Sequence, residues 1–398
     1  MAVWTRRIGI SRGAALAGAA ALTVIALLVI APSALALPFY GFNSIGVPCG
    51  VGEENTTRCT DSTELSWHGG KPFVYRFAVS KRCVDPQNTT GYSDGGDWRR
   101  YDNAVDRVRS YNGQPFIVIQ WAPYWYSSSC EAWRLPGNNA EYNEFYWWVR
   151  NLVRHYRSRG IEDYEVWNEP NLRGFTGGYD VNPEQYASTY CNAWWALRDE
   201  GIGSRLHLGG IADNNVYGSF DGSRYSLDVW LRRVKDYVDY YCRDARVSGV
   251  STHWYWENVC YDPVSGSYGA PEPCFGAQRY YVNRYWGSDK LLMLTETGVG
   301  DYSYSWTGRT EINRDQQRQN MELLVDACEW AWTHRYMRAC FYYPIKEERT
   351  WPYCQSGSGT VTAPLYGGRS IYGLRRATCD INSAQPYAAW WEYYNALR

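Results

Sequence analysis

The sequence predicts an α/β fold, a (β/α)8 TIM barrel with long, disulfide-stapled loops. Three observations lead there. Eight short apolar runs read as strands, longer amphipathic stretches alternate with them, and the alternation fills most of a chain of 398 residues. No internal repeat and no low-complexity linker divides the region after residue 37. A doubly wound open sheet is the alternative, but the Gly-rich phosphate turn that often marks one is absent.

The strand candidates are Phe39–Ile45, Phe73–Ser80, Phe116–Trp121, Tyr164–Asn168, Leu206–Ile211, Val250–Tyr255, Leu291–Thr295 and Ala339–Ile345. Each is a short, largely apolar run. Helices are expected over Asp97–Tyr111, Glu141–Arg159, Pro183–Glu200, Ser226–Arg243, Ala277–Tyr285, Asn313–Arg335 and Ala384–Leu397. The first shows apolar residues at helical spacing, at Tyr101, Val105 and Val108. Pro183 fits a first helical turn with Asn182 as its cap. Between Gly46 and Gly70 no helical period is evident, so the first βα unit is undefined.

Composition narrows the function. With 40 basic and 41 acidic residues the net charge is −1, which carries no nucleic-acid footprint. The outlier is aromatic content: 36 Tyr, 21 Trp and 10 Phe. Such side chains serve in cores and, with their polar tips, at wet binding surfaces, where flat rings can stack on sugars.

The N-terminus reads as an export signal. Arg6, Arg7 and Arg12 precede an apolar run from Ala14 to Ala31, and Ala34-Leu35-Ala36 follows as a small-x-small cleavage pattern. The run is long enough that a retained membrane anchor stays open beside cleavage. Residues 1–36 are therefore assigned to a signal peptide or anchor, and 37–398 to one exported domain, secreted or held at the outer face of the membrane. Twelve cysteines with no C-x-x-C pair favour disulfides over a metal site. The proposed pairings are Cys260–Cys274, Cys354–Cys379 and Cys191–Cys242.

Two strands end in glutamate. Tyr164-Glu165-Val166-Trp167-Asn168-Glu169-Pro170-Asn171-Leu172 puts Glu169 at the mouth after strand four, and Leu291-Leu292-Met293-Leu294-Thr295-Glu296-Thr297-Gly298 puts Glu296 after strand seven. Catalytic groups of barrels sit at that end. Glycoside hydrolysis needs two carboxyls flanking one bond, and retention requires them about 5–5.5 Å apart.

These residues resemble the large clan of retaining glycoside hydrolases with acid/base and nucleophile on strands four and seven. Within it the sequence is most similar to glycoside hydrolase family 39, the β-xylosidase and α-L-iduronidase family. Glu165–Leu172 carries the motif, Gly174-Phe175 follows it, and Tyr101–Pro123, Leu208-Gly209-Gly210 and Ser251-Thr252-His253-Trp254-Tyr255 match the third, fifth and sixth strand regions. The resemblance implies that Glu169 is the acid/base, kept protonated by desolvation or by the second carboxylate, and that Glu296 is the ionised nucleophile. It implies that Asn168 holds the sugar 2-hydroxyl, that Tyr255 orients Glu296, and that Arg76 favours its charged form. His253 shares a face with Tyr255 and lines the sugar site or fills the interior. Trp121, Trp125 and Trp256 are expected in mouth loops as substrate-binding aromatics. The clan's strand-eight Trp is missing from Phe341-Tyr342-Tyr343-Pro344, and Tyr343 is its expected substitute.

The sequence thus reads as an exported retaining glycosidase acting on a polysaccharide or oligosaccharide, with no metal or organic cofactor implied. An endo-glucanase or endo-mannanase of the same clan shares the chemistry, and a non-hydrolytic carbohydrate-binding envelope protein is a different class. Transglycosylation uses the same two carboxylates.

Overall fold

The structure, a computed structural model, describes residues 40–44, 65, 70–85, 96–127, 132–177, 182–201, 205–212, 225–255, 260–264, 266–269, 272–298, 302–305, 308–311, 314–342, 375–376 and 385–386. Eight parallel strands close into a barrel. They are β1 (Tyr40–Ser44), β2 (Phe73–Ser80), β3 (Gly113–Gln120), β4 (Tyr164–Asn168), β5 (Leu206–Ala212), β6 (Gly249–Tyr255), β7 (Leu291–Gly298) and β8 (Ala339–Tyr342). Each pairs with its sequence neighbours, and β8 closes on β1 through Tyr40 opposite Cys340. The long helices among the described residues are α1 (Arg99–Ser110), α2 (Asn139–Arg157), α3 (Pro183–Asp199), α4 (Leu227–Tyr241), α5 (Glu272–Trp286) and α6 (Arg314–Thr333).

Local chemistry starts these helices where the sequence marks them. Asn138 accepts hydrogen bonds from the Ala140 and Glu141 amides ahead of α2. Asn182 accepts from Glu184 and Gln185 with Pro183 in the first turn. Each cap satisfies amides that the helix leaves without partners. In α1, Tyr101, Ala104, Val105 and Val108 form the buried face. The chain before α5 departs from expectation: the helix starts at Glu272 rather than Ala277, because Pro273 sits in a first turn, where proline is tolerated.

Two apolar layers hold the barrel. Phe73, Tyr75, Phe77 and Val79 of β2 point outward into the layer beneath the helices, while Val74 belongs to a separate interior cluster with Phe116, Met293, Ala339 and Phe341. Phe116 and Phe341 touch with centroids 5.8 Å apart although their strands are not neighbours, so they meet across the barrel axis. Period-two alternation then places Arg76, two residues after Val74, inside the barrel and nearer its C-terminal mouth.

The disulfides bind elements of the barrel to one another. Cys191 on α3 bonds Cys242 at the end of α4, as expected. Cys328 on α6 bonds Cys340 on β8, a pairing the sequence did not suggest. Cys83 and Cys274 each belong to a further, separate disulfide. The Cys260 side chain, Cys354 and Cys379 lie outside the described residues, as do residues 1–39 and 343–374. The expected helix over Ala384–Leu397 is corrected at its start: Gln385–Pro386 pairs with Arg375–Arg376 as a short antiparallel strand. Gln385 precedes proline, a position that disfavours helical backbone. Among the described residues no helix is long and apolar enough to cross a membrane.

Candidate active site

Irregular backbone delivers both glutamates. On β7 strict alternation from Met293 would turn Thr295 inward and Glu296 outward. Both neighbouring strands instead record one extra residue there. Thr252 faces Leu294 and His253 faces Glu296 on one side, while Cys340 faces Leu294 and Tyr342 faces Thr297 on the other. The bulge re-aims the side chain of Glu296 into the barrel. On β4, Trp167 and Glu169 have φ of 78° and 42°, the left-handed region that a bulky residue enters only under constraint. This turn sends Trp167 outward into the helix layer, where its indole donates to the Phe175 carbonyl at 2.7 Å, and leaves Asn168 inside.

Gly209 and Gly210 on β5 accommodate that turn. A Cβ on Gly209 would meet the Val166 carbonyl and lie 2.5 Å from the Trp167 carbonyl oxygen. A Cβ on Gly210 would run into the His253 ring. The Glu169 amide donates to the Gly210 carbonyl at 2.8 Å. Asn171 pins the following turn by two bonds to the Ala212 backbone, at 2.7 and 3.0 Å.

The side chains converge on a compact group. His253 Nδ1 lies 3.0 Å from Glu169 Oε1 and 3.4 Å from Glu296 Oε2. One acceptor atom from each of the three residues lies within 4.8 Å of the others. His253 is buried, and burial first, then the charge of Arg76, hold its pKa well below the ordinary histidine value. The ring is therefore neutral, and its Nε2 has no hydrogen-bond partner among the described residues. A proton on Nδ1 points at the two carboxylates, whereas a proton on Nε2 would be a buried donor with no acceptor.

Arg76 supplies the site's cation. Nη1 donates to Asn43 Oδ1 at 2.6 Å and to Glu296 Oε1 at 3.1 Å. Nη2 donates to Asn168 Oδ1 at 2.7 Å and to Glu165 Oε1, and Nε donates to Glu165 Oε2 at 3.3 Å. Burial works against its charge, but Glu165 and then Glu296 outweigh it, so the guanidinium pKa is raised. The spacing of Glu169, His253 and Glu296 matches that of a metal-ligand set, yet Arg76 already compensates Glu296 and would repel a second cation. The donor set therefore suits proton transfer and nucleophilic attack by two carboxyls better than metal ligation.

The comparisons with known proteins agree on this architecture. No family profile matches the chain. A β-xylosidase of Caldicellulosiruptor saccharolyticus is 25% identical over 174 residues, which are 41% of this chain and 32% of that protein. The match thus spans about a third of the relative's length. Among solved structures, a monomeric β-xylosidase from Caulobacter crescentus CB15 aligns with TM-score 0.54 and 19% identity over 90% of this chain and 71% of its own. A family 39 glycoside hydrolase from Bacteroides cellulosilyticus WH2 gives 0.55 and 15% over 90% and 63%. A family 1 β-glucosidase from Thermotoga maritima gives 0.56 and 12% over 90% and 97%. The chain has the fold of the barrel glycosidases.

Within that glycosidase fold, Glu169, Glu296, Asn168, Arg76 and His253 lie together, Arg76 midway along β2, Asn168 and Glu169 at the end of β4, and His253 and Glu296 in the C-terminal halves of β6 and β7. Trp121 is a correction. It is fully buried, with its ring edge-on to Phe145 of α2 at 6.1 Å, so it packs the helix layer and offers no sugar a surface. Trp125 is 56% exposed in the turn after β3, with the Arg134 guanidinium 4.5 Å over one face of its ring. Trp256, Tyr343 and the Tyr255 side chain lie outside the described residues. Two site residues escaped the sequence reading, Asn43 and Glu165. For Glu165 a signal existed: a carboxylate in the middle of a buried strand must have a cation beside it.

Proposed function

We propose that this chain is a retaining glycoside hydrolase, exported from the cell and acting on β-linked oligosaccharides or polysaccharides. The observation that carries the reading is the meeting of Glu169 and Glu296, with oxygens within 4.8 Å of each other and of one neutral histidine. That closeness favours direct attack by a carboxylate over the wider gap, about 6.5–9.5 Å, that an inverting water needs.

In this mechanism Glu296 attacks the anomeric carbon while Glu169 gives its proton to the departing glycosidic oxygen. The C1–O bond to the leaving group breaks as the C1–O bond to Glu296 forms. Water then attacks C1, Glu169 takes its proton, and Glu296 leaves as a carboxylate. Arg76 at 3.1 Å supports the charged form of Glu296. Because Asn168 Oδ1 accepts from Arg76, its amide NH2 is left to face a sugar hydroxyl. The name β-xylosidase on the curated relative makes β-xylosides the first substrates to try. Export is supported by the bonds Cys191–Cys242 and Cys328–Cys340, which suit an oxidising compartment. The basic and apolar N-terminal segment over residues 1–36 is the proposed export signal or anchor.

The test is sugar release by residues 37–398 from xylans, glucans, mannans and aryl β-glycosides, beside Glu296→Ala and Glu169→Ala. Glu296→Ala should lose several orders of magnitude on every active substrate. Glu169→Ala should lose most on sugars with poor leaving groups and least on dinitrophenyl glycosides, which need no proton. Activity unchanged in Glu296→Ala would overturn the assignment.

A further inference from the structure

Glu165 lies at the junction of the two halves of the proposed machinery, and that position rests on every donor of Arg76 being in use. The guanidinium has five N–H groups. Two go to Glu165, two to the side chains of Asn43 and Asn168, and one to Glu296. Glu165 therefore grips one edge of the guanidinium, the Nε–Nη2 edge, and turns the other edge, Nη1, toward the nucleophile. A two-point carboxylate clamp fixes the plane of an arginine as well as its position.

The same carboxylate reaches the other catalytic glutamate by a second route. Its Oε1 accepts from the Gly210 amide at 2.9 Å. The carbonyl of Gly210 in turn accepts from the Glu169 amide at 2.8 Å. Glu165 is itself fully buried, so its charge acts in a medium of low dielectric. The charged and titratable groups around this point are Arg76 from β2, Glu165 and Glu169 from β4, Tyr186 from α3, His253 from β6 and Glu296 from β7, with His253 neutral and the Tyr186 hydroxyl kept protonated by burial.

Resting on the hydrolase reading above, we infer that Glu165 is a positioning residue. It aims Arg76 at Glu296, anchors the peptide that holds Glu169, and shares Arg76's charge so that the nucleophile is not over-stabilised. Two carboxylates divide one guanidinium, and the group carries a net negative charge when both are ionised. Replacing Glu165 by glutamine removes one negative charge from beside both catalytic carboxyls. Each then loses its proton more readily. Glu296 becomes ionised at lower pH and a weaker base, and Glu169 surrenders its catalytic proton at lower pH.

The experiment is the pH profile of kcat/KM for wild type, Glu165→Gln and Glu165→Asp on an aryl β-xyloside. Rates are normalised to the burst of released phenol, so only competent molecules are counted. Glu165→Gln should move both limbs of the bell to lower pH by about one unit, the order expected for loss of one buried charge. Glu165→Asp keeps the charge and shortens the clamp, so its rate should fall about tenfold or more with the limbs in place. A Glu165→Gln profile with wild-type limbs, or an equal shift in Glu165→Asp, overturns the inference alone. A wild type without a burst or turnover on any glycoside overturns the hydrolase reading and this inference with it.

Discussion

Replacing Gly210 by alanine puts a methyl group where the His253 ring sits. The new Cβ would lie 2.7 Å from Cε1 and 2.8 Å from Cδ2, and nearer still to Nε2. Ordinary contact begins at 3.4 Å. The imidazole must retreat by roughly 1 Å, in an interior packed as densely as an organic crystal. Overpacking of this kind costs about 1–3 kcal/mol. The functional cost is larger, because Nδ1 is held 3.0 Å from Glu169 Oε1 and 3.4 Å from Glu296 Oε2. A displacement of about 1 Å beside reacting groups costs on the order of 100-fold in rate. Gly210→Ala should therefore lower kcat/KM on an aryl β-xyloside about 100-fold, while its melting temperature drops by only a few degrees. Gly209→Ala is the companion, since its Cβ would strike the backbone carbonyls of Val166 and Trp167 and should cost more in stability. Wild-type kcat/KM in Gly210→Ala would refute the claim that His253 is wedged against the two carboxylates by the absence of a side chain at 210.

Two further outcomes concern stability. The folded chain keeps His253 neutral at a pKa well below the ordinary value, whereas the unfolded chain protonates it near pH 6.5. Between those two values the unfolded state binds more protons, so this residue makes stability fall as pH drops below about 6.5, by up to about 1.4 kcal/mol per pH unit. Urea unfolding across pH should show a shallower acid loss in His253→Asn than in wild type, and equal slopes would contradict a buried neutral histidine. The disulfides should differ in value: Cys191–Cys242 closes a separation of 51 residues and Cys328–Cys340 one of 12. Chain entropy gives about 4 kcal/mol for the first and about 3 kcal/mol for the second. Serine pairs at the two bridges, compared by chemical unfolding, should rank in that order, and the reverse order would mean that strain or residual structure dominates.

The barrel was legible because its elements are local. Phe73–Ser80 and Tyr164–Asn168 were bounded to the residue by apolar runs that stop at polar ones. The β3 strand was placed three residues late, since Gly113, Gln114 and Pro115 read as turn chemistry yet pair with Phe73, Val74 and Tyr75. In the site, Glu169 and Glu296 stood out because each ends an apolar strand. Their inward direction was not legible: strict alternation points Glu296 outward, and only a bulge recorded by both neighbours corrects it. Asn43 and Glu165 depend on Arg76 reaching them across 33 and 89 residues of sequence, a relation that periodicity within one strand does not contain. Trp121 misled for the opposite reason. A tryptophan following a strand can turn to the mouth or to the helix layer, and here Phe145 receives it.

The most direct test of the account is to trap the intermediate it requires. Incubating the protein with an activated 2-deoxy-2-fluoro-β-xyloside, and with the glucoside, slows breakdown of any glycosyl-enzyme enough for intact-mass and peptide analysis. The account predicts one added fluorosugar per chain, carried by the peptide that contains Glu296, and none on Glu296→Ala. A label on Glu169 or on another side chain, or turnover of the parent glycoside with no label on any residue, would contradict it.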